Sequence, residues 1–533
     1  MTISHVHPLR ISTLSPVHIG CDEVFEPSNF VIDGGLLHVL DPADIAAELD
    51  EKEKQQLMHL ADSREPIGSI QHFFKERRSR LAQIASQWVD VAPDIAREYE
   101  EKSGKPQQRS GDGRTVYNLF PMARTAFNSL NGAPYLPGSS LKGAIRTAWL
   151  NYQNKGKPLA DRKEDSMQFQ QRLLGYQAGK FENDPFRSVA LADAHVSNDR
   201  MAPPTRIIYA VSKKKKPSER GSSPELKVFL ETVRETMADA FSGELRLTGK
   251  IGWQSLCDAC NAFYRPQLEN ELDHEQFRTL LDPQWRTLIR QLLAGELGEL
   301  MVARQGFLLR VGKHSGAESL TLEGVRSIKI KTPNGKPDQY RPTTTEKRFT
   351  STTRAAISHL LPFGWVWVNA CDDAHQYLAA AVQDQISKYA ASILEAHGER
   401  VAAADERIEN RARAREEAAR RQAEAAAAEQ AKAAAQAARE AALATMTENQ
   451  RRVEAFVSMC ARRAEQLQGG KENPNAAIHT AARELVKAAL EGKNWTTDEK
   501  YSVADAIEEW LPKLVKVELK DERKKLKLSA LRL

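Results

Sequence analysis

The sequence predicts an α+β protein with antiparallel sheets, followed by a long helix and a small all-α domain. Three observations carry this expectation. Strand-like and helix-like segments mix from about residue 9 to about residue 370. Beyond about Gln376 the composition shifts, and between Gly398 and Gly469 there is neither a glycine nor a proline. At 533 residues the chain also exceeds what one hydrophobic core usually organises, so several folding units are expected.

Taken in order, Leu9-Arg-Ile-Ser-Thr-Leu-Ser15 alternates apolar and polar residues as a half-buried strand does, and Pro16 ends it. Phe30 to Leu40 places Asp33-Gly34 between two apolar runs, the signature of a β-hairpin whose turn favours positive φ. Residues 42–104 are rich in helix formers, with Asp41-Pro42 as a start signal and Pro66, Gly68 and Pro93 as interruptions, so several short helices are expected. Leu136-Pro-Gly-Ser-Ser introduces a further helix, with Ser139 or Ser140 as its cap. Later strands are expected at Ile207–Val211, Gly243–Gly249, Phe307–Val311, Arg326–Lys331 and Trp365–Val368, with helices between them at 225–240 and 275–304.

Residues 401–446 hold 21 alanines and 16 charged side chains. Helix propensity is therefore very high while large apolar residues are scarce, which describes a solvated spacer better than a coiled coil. Thr445-Met-Thr-Glu448 and Thr496-Thr-Asp-Glu499 read as capping boxes that restart helices. Val453, Phe456, Val457, Leu485, Val486, Leu490, Val503, Ile507, Trp510, Leu511 and Leu514 suffice for the core of a small helical bundle.

Composition excludes some functions. With 41% hydrophobic and 28% charged residues there is no uninterrupted apolar run long enough to cross a bilayer. The opening Met1-Thr-Ile-Ser-His lacks the features of an export signal. Five cysteines, at 21, 257, 260, 371 and 460, fit a reducing compartment, and the cytoplasm is the expected location. A net charge of +5 is small for this length, so an argument for nucleic acid rests on local clusters. Two exist: Lys213–Lys216, running into Pro217–Pro224, and the span from Arg326 to Arg354.

The most informative segment is Gly138-Ser-Ser-Leu-Lys-Gly143, which offers backbone N–H groups, two hydroxyls and Lys142 at a helix start. Such a start favours an anion, and an ordinary helix cap explains it equally well. The spacing is not that of a P-loop, so nucleotide hydrolysis gains no support.

In full, Tyr135-Leu-Pro-Gly-Ser-Ser-Leu-Lys-Gly-Ala-Ile-Arg-Thr-Ala148 resembles the signature of the RAMP superfamily of CRISPR effector subunits. Leu14-Ser-Pro-Val-His-Ile-Gly20 is similar to that family's first strand and turn. Asp184-Pro-Phe-Arg187, Arg310-Val-Gly-Lys-His-Ser-Gly316 and Leu361-Pro-Phe-Gly-Trp365 resemble its later landmarks, in the same order. The resemblance is closest to the fifth subunit of the type III-A (Csm) complex and runs over residues 8–370.

The resemblance implies two ferredoxin-like, RRM-related domains, over 1–205 (with a helical insertion at about 42–110) and 206–375. The long helix at 376–446 and the helical domain at 447–533 lie outside the family pattern. It further implies a non-catalytic subunit that binds CRISPR RNA (crRNA) and caps a filament of backbone subunits near the three-prime end of the guide. Contacts would run mainly through phosphates and 2′-hydroxyls. Carried over residue by residue, His18, Gly20, Gly138, Ser139, Ser140, Lys142, Gly143, Arg146, Gly312, Lys313 and His314 would meet the RNA. The partners implied are crRNA, the adjacent Csm backbone subunit and a small helical subunit, with target RNA met indirectly.

Two alternatives accompany this expectation: a RAMP endoribonuclease using His18 as general base, and a cap subunit of a Cmr-type (III-B) complex. No catalytic partner for His18 is visible in the sequence, and Asp33 is explained as a turn residue, so no catalytic residue is assigned. Cys257-Asp-Ala-Cys260 is half of a zinc site with no second pair, even if His274 is added, so no metal or cofactor is assigned.

Overall fold

The computed structural model describes residues 5–533 apart from 27, 64–65, 110–114, 118–119, 160–163, 178, 198–204, 217–227, 332–336 and 395–397. The chain divides into two compact units, Met1–Ala412 and Arg413–Leu533.

The first unit is α+β. Its six-stranded sheet runs in the order His195–Val196, Met237–Leu247, His5–Thr13, Trp365–Asn369, Gly306–Arg310, with Val189–Leu191 also paired to Met237–Leu247. Every pairing in it is antiparallel. Ile11 lies opposite Phe241 on one side and Val368 on the other, so the first strand of the chain is central. Leu9 and Ile11 are buried in the main core and Arg10 between them is exposed, but Ser12, Thr13 and Ser15 are buried as well, so the expected alternation stops at Ile11 in this central strand. The helix Trp253–Asp273 packs against this core through Leu256, Phe263 and Leu268.

A second, nine-stranded sheet runs Gly20–Phe25, Met122–Thr125, Val228–Val233, Thr205–Lys214, Gln87–Val91, Leu36–Val39, Phe30–Asp33. Glu346–Ser351 pairs with Thr205–Lys214, and Leu361–Pro362 with Glu346–Ser351. Two of its pairings are parallel, Thr205–Lys214 with Gln87–Val91 and Val228–Val233 with Met122–Thr125. Both sheets draw strands from either side of residue 205.

The hairpin forms one residue later than the Asp-Gly signal suggested. Asp33 pairs with Leu36, and the turn is Gly34-Gly35, with φ of 58° and 79°. Among the described residues of 42–104 there are five short α-helices, and Asp41 caps the first by accepting from the Ala43 N–H at 2.7 Å. This region also supplies a sheet strand, Gln87–Val91, which the helix-rich composition concealed.

The helix expected at 225–240 is not formed. Residues Val228–Val233 and Met237–Leu247 are strands, joined where Thr236 takes a φ of 54°. Glu231 and Glu235, spaced as on a solvated helix face, are both buried. Arg206 meets Glu235 at 2.9 Å and Arg124 meets Glu231 at 3.7 Å. Tertiary pairing overrides local propensity here. The segment expected at 275–304 forms two helices, Pro283–Ala294 and Glu296–Val302, separated at Gly295.

Of the long helix expected over 376–446, the described residues form Gln376–Leu394 and Gly398–Thr445, and residues 395–397 lie outside the described residues. Gln376–Leu394 sets Leu378, Val382 and Ile386 four residues apart, and all three are buried in the main core. Gly398–Thr445 is the alanine-rich helix, exposed along most of its length.

In the second unit, helices Glu448–Leu467, Ala477–Glu491 and Thr497–Leu514 enclose Val453, Phe456, Leu485, Val486, Val503, Ile507, Leu511 and Leu514. The capping box expected at Thr496 with Glu499 forms, whereas the one read at Thr445 with Glu448 does not: Thr445 ends the preceding helix, and the box forms two residues later on Thr447 with Gln450. No helix among the described residues is long and apolar enough to cross a membrane.

Candidate nucleic-acid interface

The signature helix spans Gly138–Asn154 and starts one residue before the serines expected to cap it. Pro137 is the N-cap, without a side-chain hydrogen bond, and Ser139 and Ser140 lie inside the first turn. The Gly138 N–H donates to Asp193 Oδ1 at 2.7 Å and the Ser140 N–H to Pro137 O at 3.0 Å. A carboxylate of the chain itself thus meets part of the anion-friendly helix start. Gly138 is glycine for an internal reason: a Cβ there would stand 2.4 Å from Leu191 O and 2.8 Å from Ala192 C.

Gly143 differs. It is exposed on the helix, and a Cβ would meet nothing within 4 Å. Ser139 is exposed one turn before it, while Lys142 is half-buried. Burial holds Lys142 below the usual lysine value, Asp184 opposes that effect and Arg146 adds to it. Arg146 is engaged inside the protein. Its Nη1 lies 2.9 Å from Asp184 Oδ2, and its guanidinium lies 5.2 Å from the Phe186 ring centre. Asp184 also accepts from the Phe186 N–H, so the Asp184-Pro-Phe-Arg187 landmark anchors the signature helix.

The other predicted residues converge. Gly312 takes a φ of 79°, where a Cβ would stand 2.3 Å from His18 O, and the Lys313 N–H donates to that same oxygen at 2.8 Å. His18 is fully buried, with Nδ1 2.7 Å from Glu231 O. His314 follows in the left-handed region at a φ of 68°, its ring 5.1 Å from that of Phe363. A hydrogen-bonded path joins this cluster to the signature loop. The Ala126 N–H donates to Ile19 O at 2.7 Å, and the Tyr135 N–H to Ala126 O at 3.1 Å.

Beside the Gly312–His314 turn lies a cleft of about 700 Å³ whose walls include Lys313, His314, Lys329, Lys331, Lys347 and Arg348. Its electrostatics are set from below by Glu271, which is fully buried and which no sequence signal marked. Glu271 lies 2.9 Å from Lys347 Nζ and 3.2 Å from Arg310 Nη2, and accepts from Trp365 Nε1 at 2.8 Å. Burial pushes this carboxyl up, but Arg310 and Lys347 outweigh that and hold it below the usual carboxylate range. Much of the Arg326–Arg354 cluster therefore lines one cleft, although residues 332–336 lie outside the described residues.

Lys213 and Lys214 end the strand Thr205–Lys214, opposite Lys347 and Glu346, and Lys215 pairs with Glu318 at 2.5 Å. Pro217–Pro224 lies outside the described residues. Asp33 lies 3.6 Å from the Arg78 guanidinium at the hairpin. Cys257 and Cys260 are buried on the helix Trp253–Asp273, and burial pushes both thiols up. His274 stacks on Phe277 instead of facing them. Among the described residues no group of three or more His, Cys, Asp or Glu could hold a metal ion.

The model of the RAMP superfamily matches residues 10–245, which include His18, Gly20 and the whole signature loop. This stretch is thus similar to the RAMP superfamily. Among curated relatives, the "CRISPR system Cms protein Csm5" of Methanocaldococcus jannaschii is 28% identical over 154 residues, 28% of this chain and 32% of the relative. The chain thus aligns with about a third of that relative's length. Two solved structures are also similar. A chain of a Csm-crRNA-target RNA ternary complex of a type III-A CRISPR-Cas system has a TM-score of 0.40 and 15% identity, covering 68% of this chain and 100% of that one. The crystal structure of T.onnurineus Csm5 has a TM-score of 0.39 and 17% identity, covering 68% and 99%. The RAMP match ends at residue 245, whereas the landmarks from Arg310 on lie beyond it; they enter the fold through Trp365–Asn369, next to the first strand, and Gly306–Arg310, on the far side of Trp365–Asn369.

Proposed function

We propose that this chain is a non-catalytic crRNA-binding subunit of a type III-A CRISPR effector complex, capping its backbone filament near the three-prime end of the guide. The observation that carries this reading is the convergence of His18 and Gly20, from the RAMP segment, with the Gly312–His314 turn beside a lysine-rich cleft. Such a surface suits a phosphate backbone and reads no sequence. The likeness of part of the chain to Csm5 supports the type III-A assignment. The partners are crRNA, the neighbouring backbone RAMP subunit and a small helical subunit, with target RNA met indirectly.

The ribonuclease alternative is weakened at His18, whose Nδ1 is committed to Glu231 O and whose ring is faced by Lys313 and His314 instead of by a carboxylate that would raise its basicity. Incubating the purified chain with repeat RNA tests it, and cleavage that disappears in His18→Ala would restore it. For the proposed reading, the full chain is expected to bind unpaired RNAs of unrelated sequence with affinities within about threefold of one another, falling steeply with salt. Strong preference for one sequence, or no binding, would count against it. Co-expression with Csm and with Cmr neighbours separates the type III-A from the III-B assembly.

A further inference from the structure

His18 and His314 reach the same turn from distant parts of the chain, and the Nε2 atom of each is buried with no hydrogen-bond partner. The orientation of His18 is decided by Glu231 O, which only accepts, so Nδ1 carries the proton and the neutral ring leaves Nε2 as a lone pair that no group donates to. His314 is fixed by its left-handed backbone and by Phe363. Buried polar atoms left unpaired are uncommon and call for a reason.

The charges around the two rings supply one. His18 is faced by Lys313 and His314, and His314 by Arg348, Lys313 and His18. The nearby acids are engaged elsewhere. The Glu231 carboxyl, pushed up by burial, lies 3.2 Å from the Thr125 N–H and 3.7 Å from Arg124, and Glu271 serves Arg310 and Lys347. The charged groups that face the two rings are thus cations. Gly20, which is exposed, lies directly beside His18: a Cβ there would stand 3.7 Å from His18 Nε2.

We infer that Gly20, His18, Lys313 and His314 form an anion subsite that takes one RNA phosphate together with one proton from solvent. This rests on the RNA-binding reading given above. The proton passes from solvent to one of the two unpartnered Nε2 atoms, and no bond in the RNA is made or broken. In the free chain burial holds both imidazoles low, opposed at His18 by the Glu231 carbonyl and reinforced by Lys313, and reinforced at His314 by Arg348 and Lys313, which leaves His314 at about 4. A phosphate within about 4–6 Å raises an imidazole by about one to three pH units. The complex then holds more protons than the free chain between those two values. RNA affinity therefore rises as pH falls through the value in the complex, and is flat above it.

The test is calorimetric titration of the full chain with a short unpaired oligoribonucleotide, in buffers of different ionisation heat, at about pH 6 and about pH 8. Uptake approaching one proton is expected at the lower pH and none at the higher, with binding about three- to tenfold tighter at the lower. His18→Asn keeps a donor toward Glu231 O, and His314→Asn tolerates the left-handed backbone. Each is expected to remove most of the uptake and to bring the affinity ratio between the two pH values within about twofold. RNA bound at both pH values without proton uptake, or with uptake unchanged in both variants, overturns the subsite and leaves the RNA-binding reading standing. No RNA binding at either pH overturns both.

Discussion

Gly138 and Gly143 are five residues apart in one motif, yet they are glycines for different reasons. Gly138 answers to the backbone of Leu191 and Ala192, which a Cβ would strike. Gly143 answers to nothing inside the molecule. A glycine within a helix costs about 0.5–1 kcal/mol relative to alanine, so an exposed one without an internal cause fits a partner that comes close. Gly143→Ala is therefore expected to stabilise the first unit by about 0.5–1 kcal/mol in urea denaturation. Gly143→Leu should weaken binding of unrelated RNAs about equally, as Lys142→Ala should, with a smaller salt slope for the lysine variant. A Gly143→Leu chain that bound RNA as well as the parent would remove Gly143 from the interface. The motif itself was legible in the sequence. Which glycine serves the fold was not, because Leu191, Ala192 and His18 stand far along the chain from the glycines they press against. The same holds for Arg146, whose partner Asp184 is 38 positions away.

At the scale of elements, strands and caps with local causes were readable: the strand from Leu9, the run at Trp365–Val368 and the box on Thr496, while the box read at Thr445 forms two residues on, at Thr447. The hairpin at Val228–Leu247 was not, since Glu231 and Glu235 mimic a solvated helix face until Arg124 and Arg206 are brought to them. Glu271 is the strongest case of a role conferred wholly by assembly. It links the helix Trp253–Asp273 to Arg310 on one sheet and Lys347 on the other. Removing one member of a buried ionic group leaves the others uncompensated, at a cost of about 3–5 kcal/mol. Glu271→Ala is expected to lose about that much in denaturant unfolding, and loss below about 1 kcal/mol would show that water or neighbouring groups neutralise Arg310 and Lys347 instead.

Titration gives an independent handle on the same turn. Because the folded chain holds His314 at about 4, below the ordinary imidazole value of 6.5, the unfolded chain binds more protons between those values. This group's contribution to stability is therefore present above the unfolded value and is lost as pH falls through the folded one. His314→Asn should make the urea midpoint less sensitive to acid over that interval, and equal sensitivity in both chains would refute the assignment.

For the whole molecule, the composition break near Gln376 reads as the end of the first unit, yet the fold carries on past it. Leu378, Val382 and Ile386 belong to the main core, so a chain ending near Asp373 strips a helix from the sheet it covers. Burying side chains of this size contributes about 1.5–3 kcal/mol each, and three such losses approach the total stability of a typical domain. The change to solvated helix comes only after Gly398, and the second unit has its own core of Val453, Phe456, Leu485, Val503, Ile507 and Leu511. Chains 1–412 and 413–533 are therefore each expected to unfold cooperatively on their own, while 1–373 aggregates or unfolds without a clear transition. Far-UV circular dichroism during heating distinguishes these outcomes. If 1–412 also binds RNA like the full chain, the helical unit is accessory to guide binding, and if its affinity drops about tenfold or more, that unit becomes part of the interface.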